Sequence, residues 1–193
     1  MKIPFAVSLI VFAAFLPVAF AQSAPSYKWE GGFGYNFLHT NAPPAQCGCF
    51  DMNGGTASVA YHVKPSFSLV GEFQTLNNGN VMATGQNLIM VTYLVGPRYT
   101  YKASRTRLTP FGAVLVGGAH ANGGLYTSSV APSGSVNGFA ASMGGGLDMN
   151  LSPRVTYRFV QADYLLTMLP NGVNGRQNNL SLSTGVVFRF GVR

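Results

Sequence analysis

Residues 180–191 read Leu-Ser-Leu-Ser-Thr-Gly-Val-Val-Phe-Arg-Phe-Gly. Leu180, Leu182, Thr184, Val186, Phe188 and Phe190 fall on one side of an extended chain, and Ser181, Ser183, Gly185, Arg189 and Gly191 on the other. A period of two is the side-chain repeat of a β-strand, so this is a strand with one apolar and one polar face. Arg189 decides which face meets which environment. An arginine facing lipid at the midplane of a transmembrane barrel costs about 2–4 kcal/mol, so in a membrane the aromatic face must lie outside and the arginine face inside.

Seven earlier segments show related patterns. The first, about Lys28 to Leu38, sets Trp29, Phe33, Tyr35 and Phe37 against Lys28, Glu30, Gly32, Gly34 and Asn36. The second, about Gly55 to Val63, alternates Ala57, Val59, Tyr61 and Val63 with Thr56, Ser58, Ala60 and His62. The turn Lys64-Pro65-Ser66 leads into the third, where Phe67, Leu69 and Phe73 oppose Glu72 and Gln74. The fourth sets Ile89, Val91, Tyr93, Val95, Tyr99 and Tyr101 against Met90, Thr92, Gly96 and Arg98, and the fifth is Leu108 to Ala121. In the sixth, Phe139, Met143, Leu147 and Met149 alternate with Ala140, Ser142, Gly144, Gly146 and Asp148. In the seventh, Tyr157 and Phe159 oppose Arg158, but Gln161 and Asp163 fall out of phase, so a bulge or the end of the lipid-facing part must lie between.

Composition agrees with a barrel in lipid. The chain of 193 residues is 47% hydrophobic and 9% charged, yet past its N-terminus it has no apolar run long enough for a membrane helix. Backbone polar groups in lipid must all be paired internally, which only helices and closed sheets achieve. The N-terminus itself reads as a signal peptide: Met1-Lys2 supplies charge, Ile3 to Val18 is almost continuously apolar, and Ala19-Phe20-Ala21 places small residues where a signal peptidase cuts. Residues 1–21 are therefore expected to be removed, leaving 22–193 as one outer-membrane β-barrel domain.

The connections alternate short and long. Lys64 to Ser66, Lys102 to Arg107 and Leu151 to Arg154 are tight. His39 to Met52, Asn77 to Gln86, Asn122 to Ser135 and Thr167 to Asn178 are long and rich in Gly, Asn and Ser. Outer-membrane barrels have short periplasmic turns and longer extracellular loops, so four outer loops and three inner turns predict eight antiparallel strands in an up-and-down transmembrane barrel with both termini periplasmic.

Ser183-x-Gly185-x-x-Phe188-x-Phe190 resembles the C-terminal signal read by the outer-membrane assembly machinery. The whole mature stretch resembles the small OmpA/OmpX-like barrels of Gram-negative cell envelopes, including Met143-Gly144-Gly145-Gly146-Leu147-Asp148 of the sixth strand and Gln161-Ala162-Asp163-Tyr164 of the seventh. The resemblance implies the assembly machinery, outer-membrane lipid and lipopolysaccharide as partners. It departs at the end, where Gly191-Val192-Arg193 follows the last aromatic, and no peptidoglycan-binding domain is implied.

Glu30, Glu72, Arg98, Asp148, Arg158 and Arg189 are expected to form a lumenal polar network, with Lys28 and Asp163 on the same inward faces. An eight-stranded barrel has room inside only for side chains, so mixed charges there should pair and plug the lumen. The net charge of +7 is not a nucleic-acid signal, because Lys64, Lys102, Arg105, Arg107 and Arg154 lie in the tight turns of a membrane protein, where anionic lipid head groups are the simpler contact. A soluble ligand-holding barrel of the lipocalin type is disfavoured, since it would bury its apolar faces.

Cys47 and Cys49 form the one Cys-Gly-Cys of the chain. A disulfide between them would close a small ring that constrains little chain. With His39 they offer three zinc ligands, but the spacing of a structural zinc motif is missing, and no metal or other cofactor is expected. Some small outer-membrane barrels are lipid A modifying enzymes, and His39, His120, Ser128, Ser129 and Ser133 lie at the outer end. No Gly-x-Ser-x-Gly or His-Glu-x-x-His spacing organises them for catalysis. The sequence thus points to a non-enzymatic surface structural or adhesin-like recognition scaffold with an unidentified partner at its loops. A small pore or hydrophobic-molecule conduit, or a lipid A modifying enzyme, is the alternative.

Overall fold

Eight strands follow one another around a ring: β1 (Tyr27–Asn41), β2 (Cys49–Lys64), β3 (Phe67–Asn78), β4 (Leu88–Thr100), β5 (Leu108–Gly123), β6 (Ser135–Asn150), β7 (Val155–Thr167) and β8 (Gln177–Val192). The computed structural model describes residues 27–41, 49–81, 86–101, 106–123, 134–170 and 174–192. The proposed signal peptide lies outside them. Each strand pairs antiparallel with the next, and β8 closes on β1 through Glu30↔Arg189, Gly34↔Gly185 and Phe37↔Leu182, giving a closed barrel. Closure leaves no strand edge unpaired, as a sheet in hydrocarbon requires.

The phase break in β7 is a bulge, not the end of the lipid-facing part. Arg158 pairs with Asp148 and Gly185, but the next inward residue is Gln161, opposite Gly146 and Ser183. Phe159 and Val160 both stay outside, so the bulge returns Gln161 and Asp163 to the lumen. The glycine run of β6 has a packing cause. A Cβ on Gly144 would collide with the Asp163 side chain, and one on Gly146 would come within 2.7 Å of the Phe111 ring. Glycine there makes room for two inward side chains of neighbouring strands.

Trp29, Phe33 and Tyr35 of β1, Leu69 and Phe73 of β3, Tyr93, Val95 and Tyr99 of β4, Met143 of β6 and Leu182, Phe188 and Phe190 of β8 all point outward and are exposed. An apolar belt running around a closed barrel is the surface a lipid environment covers. On β1 it runs from Trp29 to Phe37, about 26 Å of strand at roughly 3.3 Å per residue. Tilted by about 40°, that spans roughly 20 Å and approaches the ~25 Å band of transmembrane barrels.

Above the belt the pattern differs from the sequence expectation. The first long connection, expected at His39 to Met52, is mostly strand: β1 continues to Asn41, β2 starts at Cys49, and His39 pairs with Asp51. Here the two faces exchange character. Outside stand His39, Asp51, Asn53, Asn77, His120, Asn122 and Asn137, while Leu38, Phe50, Met52, Leu76, Ala119, Ala121 and Val136 are buried inside. The period of two is unbroken, but the phase of hydrophobicity has shifted by one residue. The rule of apolar outside and polar inside therefore holds only for the lipid-facing part. Over much of its circumference the upper barrel thus sets polar residues outside and an apolar cluster within, while Ile89, Met168 and Leu180 remain outward and Thr92, Thr167, Gln177 and Asn179 remain inward.

Candidate functional site

The lumen is filled in layers. At the short-turn end the Glu30 carboxylate accepts hydrogen bonds from Arg98 and, at 3.1 Å, from Arg189 Nε, and lies 3.1 Å from His62 Nε2. Arg98 also donates from Nε to Ser68 Oγ at 3.3 Å. Three strands away, Arg158 grips Asp148 with Nε at 2.9 Å and Nη2 at 3.2 Å, the two-pronged geometry that makes guanidinium–carboxylate pairs specific. The Phe111 ring separates the clusters, with the Arg158 guanidinium 4.4 Å and the Arg98 guanidinium 5.5 Å from its centre. Both cations thereby lie within cation–π range of the ring.

A chain of amides continues upward. Arg158 Nη1 donates to Gln161 Oε1 at 2.9 Å, and Gln161 Nε2 donates to Asp163 at 2.7 Å and to Glu72 at 3.3 Å. Gln74 donates to Glu72 at 2.6 Å and accepts from Asn36 at 2.9 Å, and Ser181 donates to Asn36 at 2.9 Å. Beside Glu72, Arg158, Gln161 and Ser183 a cavity of about 20 Å³ remains. It has room for about one water, not a water-filled path.

Beyond this layer the interior is mainly apolar, with Thr40, Thr167, Gln177 and Asn179 among its buried polar residues. Leu38, Met52, Leu76, Met90, Ala119, Ala140 and Leu165 are almost wholly buried and pack as one cluster. Two residues from the long connections close its mouth: Val81, 1% exposed, and Leu169, 4% exposed. Leu169 is clamped by Gln177, whose side chain accepts from its N–H at 3.1 Å and donates to its carbonyl at 2.9 Å. Among the described residues, two buried side-chain atoms at this level find no partner, Thr92 Oγ1 and Asn179 Oδ1.

The structure thus brings Glu30, Glu72, Arg98, Asp148, Arg158 and Arg189 into one lumen, with Asp163 and His62. Lys28 does not join them and is exposed at the short-turn mouth. Ser183 and Gly185 line the lumenal cavity, whereas Phe188 and Phe190 face outward. Cys49 opens β2 opposite Asn41, while Cys47 lies outside the described residues, as do Ser128, Ser129, Ser133, Lys102 and Arg105. His39 Nδ1 sits 2.6 Å from Asp51, and His120 Nδ1 sits 2.8 Å from Asn137, both on the outer wall above the belt. Sequence reasoning missed Phe111 and the apolar upper lumen. Neither alternating face of Leu108 to Ala121 carries an acid, a lysine or an arginine, so the sequence does not mark Phe111 as inward.

No known family model matches the chain, and no curated protein matches it in sequence. Solved structures do match. Neisserial surface protein A superposes with a TM-score of 0.63 over 84% of this chain and 97% of its own, at 14% identity. The fold is that of the small eight-stranded outer-membrane barrels. Ail, the attachment invasion locus protein of Yersinia pestis, shares it with a TM-score of 0.56 at 16% identity, covering 85% of this chain and 99% of Ail. Ail in complex with the heparin analogue sucrose octasulfate gives 0.53 at 13% identity, over 84% of this chain and 99% of Ail. Identities this low carry the barrel fold and leave the use of the loops to be argued from the chain itself.

Proposed function

We propose that this protein is an integral outer-membrane scaffold that holds a recognition surface away from the bilayer, with a sealed lumen and no catalytic role. Its short turns and both termini face the periplasm, and its four long connections face outward. The observation that carries this reading is the inverted upper barrel. Strands that served only to cross lipid would end at the belt, whereas these continue past it around a dry core and make a rigid base for the connections. The paired lumenal charges and the Val81 and Leu169 stoppers support a barrel that conducts nothing. Attachment is the use printed in Ail's name, and its complex with a heparin analogue supports testing sulfated glycans first.

The test uses intact cells. In a background with Cys47→Ser and Cys49→Ser, Asp51→Cys should react with an impermeant maleimide, and Arg154→Cys should not. Cells displaying the protein should bind an array of extracellular glycans and matrix proteins differently from cells whose 124–133 segment is replaced by a two-residue turn. Inaccessible Asp51, or identical binding by both strains, refutes the reading. The apolar cluster of the upper lumen favours a second reading, passage of hydrophobic molecules. Faster uptake of an alkane by expressing cells, slowed by Leu76→Trp, would favour it over recognition.

A further inference from the structure

The lipid-facing wall contains a hollow that the scaffold reading does not use. Along one row of β-pairing the outward residues are Gly31, Val59, Gly71, Val95 and Val116, and along the next they are Phe33, Ala57, Phe73, Tyr93 and Gly118. Small residues interrupt the large ones in both rows, at Gly31 and Gly71 in the first and at Ala57 and Gly118 in the second. Gly118 is filled by the Tyr93 ring, which lies 2.7 Å from where its Cβ would stand, but a Cβ on Gly71 would meet nothing within 4 Å. The result is a concavity of about 570 Å³, floored by Gly31, Ala57 and Gly71 and walled by Phe33, Phe73 and Tyr93. Hydrocarbon has no water to fill such a space, and an unfilled hollow forfeits the dispersion contacts of its lining.

Charge says which lipid sits there. The chain has five acidic residues. Glu30, Glu72, Asp148 and Asp163 are buried in the lumen, and Asp51 lies at the long-loop end. The short-turn end therefore presents exposed Lys28, Lys64, Arg107 and Arg154 with no exposed acid among the described residues. Lys64 ends β2 five residues below Val59, and Phe67 begins β3 four residues below Gly71. At about 3.3 Å per residue, the hollow lies roughly 13–17 Å along the strands from that cationic rim. One leaflet's hydrocarbon is about 15 Å deep, so a lipid with its head group at the rim reaches the hollow with its acyl chain.

We infer that this face of β1 to β4 is a binding site for an anionic glycerophospholipid of the periplasmic leaflet, its chain seated on Gly31, Ala57 and Gly71 and its phosphate near Lys64. The inference rests on the outward wall meeting lipid and on the short turns being periplasmic. Trp29 is the sole tryptophan of the chain and precedes Gly31 by two residues on the same outward face, so its fluorescence reports on the site.

The full mature chain is reconstituted in phosphatidylcholine vesicles containing chain-brominated phosphatidylglycerol or, separately, chain-brominated phosphatidylcholine. Phosphatidylglycerol should quench Trp29 with at least threefold higher relative affinity, and unbrominated phosphatidylglycerol should compete. Gly71→Leu, whose Cβ has open space around it, puts a side chain into the hollow and should bring the ratio close to one, and Lys64→Gln should lower it about twofold. Equal quenching by both lipids overturns the site. A preference that survives Gly71→Leu but vanishes in Lys64→Gln overturns the hollow in favour of diffuse rim charge. No quenching by either lipid would show that the wall does not meet lipid, which removes the membrane reading as well.

Discussion

Glu30 is the residue whose loss the structure prices most clearly. Its carboxylate is the counter-ion of Arg98, whose side chain is 5% exposed, and of Arg189, which is 21% exposed. Glu30→Gln keeps the volume and one acceptor oxygen but removes the charge. Breaking a buried pair by removing one partner costs about 3–5 kcal/mol, since the remaining ion stays dehydrated without compensation. Arg189 can turn toward water at the mouth, so its share is closer to the ~0–1 kcal/mol of a surface pair. The expected loss is about 4 kcal/mol. Glu72→Gln is the control, because Glu72 is equally buried but accepts from the neutral amides of Gln74 and Gln161. It should lose about 1 kcal/mol. Both variants are refolded into lipid vesicles, and guanidinium unfolding is followed by Trp29 fluorescence. A gap of about 3 kcal/mol is a factor of more than 100 in the folding equilibrium. Equal losses in the two variants would show that charge pairing is not what stabilises the lumen, and so would an undiminished loss in Glu30→Gln combined with Arg98→Met.

Three further outcomes are expected. Phe188→Asp sets a charge in the lipid-facing belt and should abolish the outer-membrane-localised, heat-modifiable form, whereas Ser183→Arg overfills the 20 Å³ lumenal cavity and should cost about 1–3 kcal/mol without stopping assembly; the reverse ranking would exchange the two faces. Gly144→Val should yield no folded barrel in the same gel-shift assay, since its Cβ meets the Asp163 side chain and the Ala162 carbonyl, while Gly71→Val should fold normally. N-terminal sequencing of the exported protein should begin at Gln22, and an intact Met1 would remove the signal-peptide reading.

The lower barrel was legible because lipid imposes a one-way rule. Outward polar residues are excluded there, so Phe188, Arg189 and Phe190 announce their own faces, and the phase break between Arg158 and Gln161 was visible before any register was known. The upper barrel was hidden by the same rule. Phe50, Met52 and Leu76 sit beside Asp51, Asn53 and Asn77 in a correct strand alternation, but with apolar residues on the face that lipid-based reasoning assigns to charge. Read for lipid, such a stretch looks like a polar loop. The lumenal ions were found as a set because inward positions repeat every second residue, but their partners were not. Which acid faces which arginine depends on shear, and Glu30 meets Arg98 across 68 residues of sequence.

The two halves also differ in what they demand of the lumen. In lipid the wall gains nothing from hydrophobic burial on its outer side, so specificity must come from inside, and buried ion pairs that tolerate few arrangements are suited to that. Above the belt, water lies outside and the ordinary hydrophobic effect returns, so Leu38, Met52, Leu76 and Leu165 can hold the strands together without any charge. The change falls where Gln74 and Asn36 hand over to Leu76 and Leu38, one inward step along β3 and β1. A barrel meant to conduct would carry its polar lining past that point. Here the lining gives way to the cluster of Leu38, Met52, Leu76 and Leu165, which Val81 and Leu169 join, and on the scaffold reading proposed above that exchange stiffens the barrel beneath its long connections.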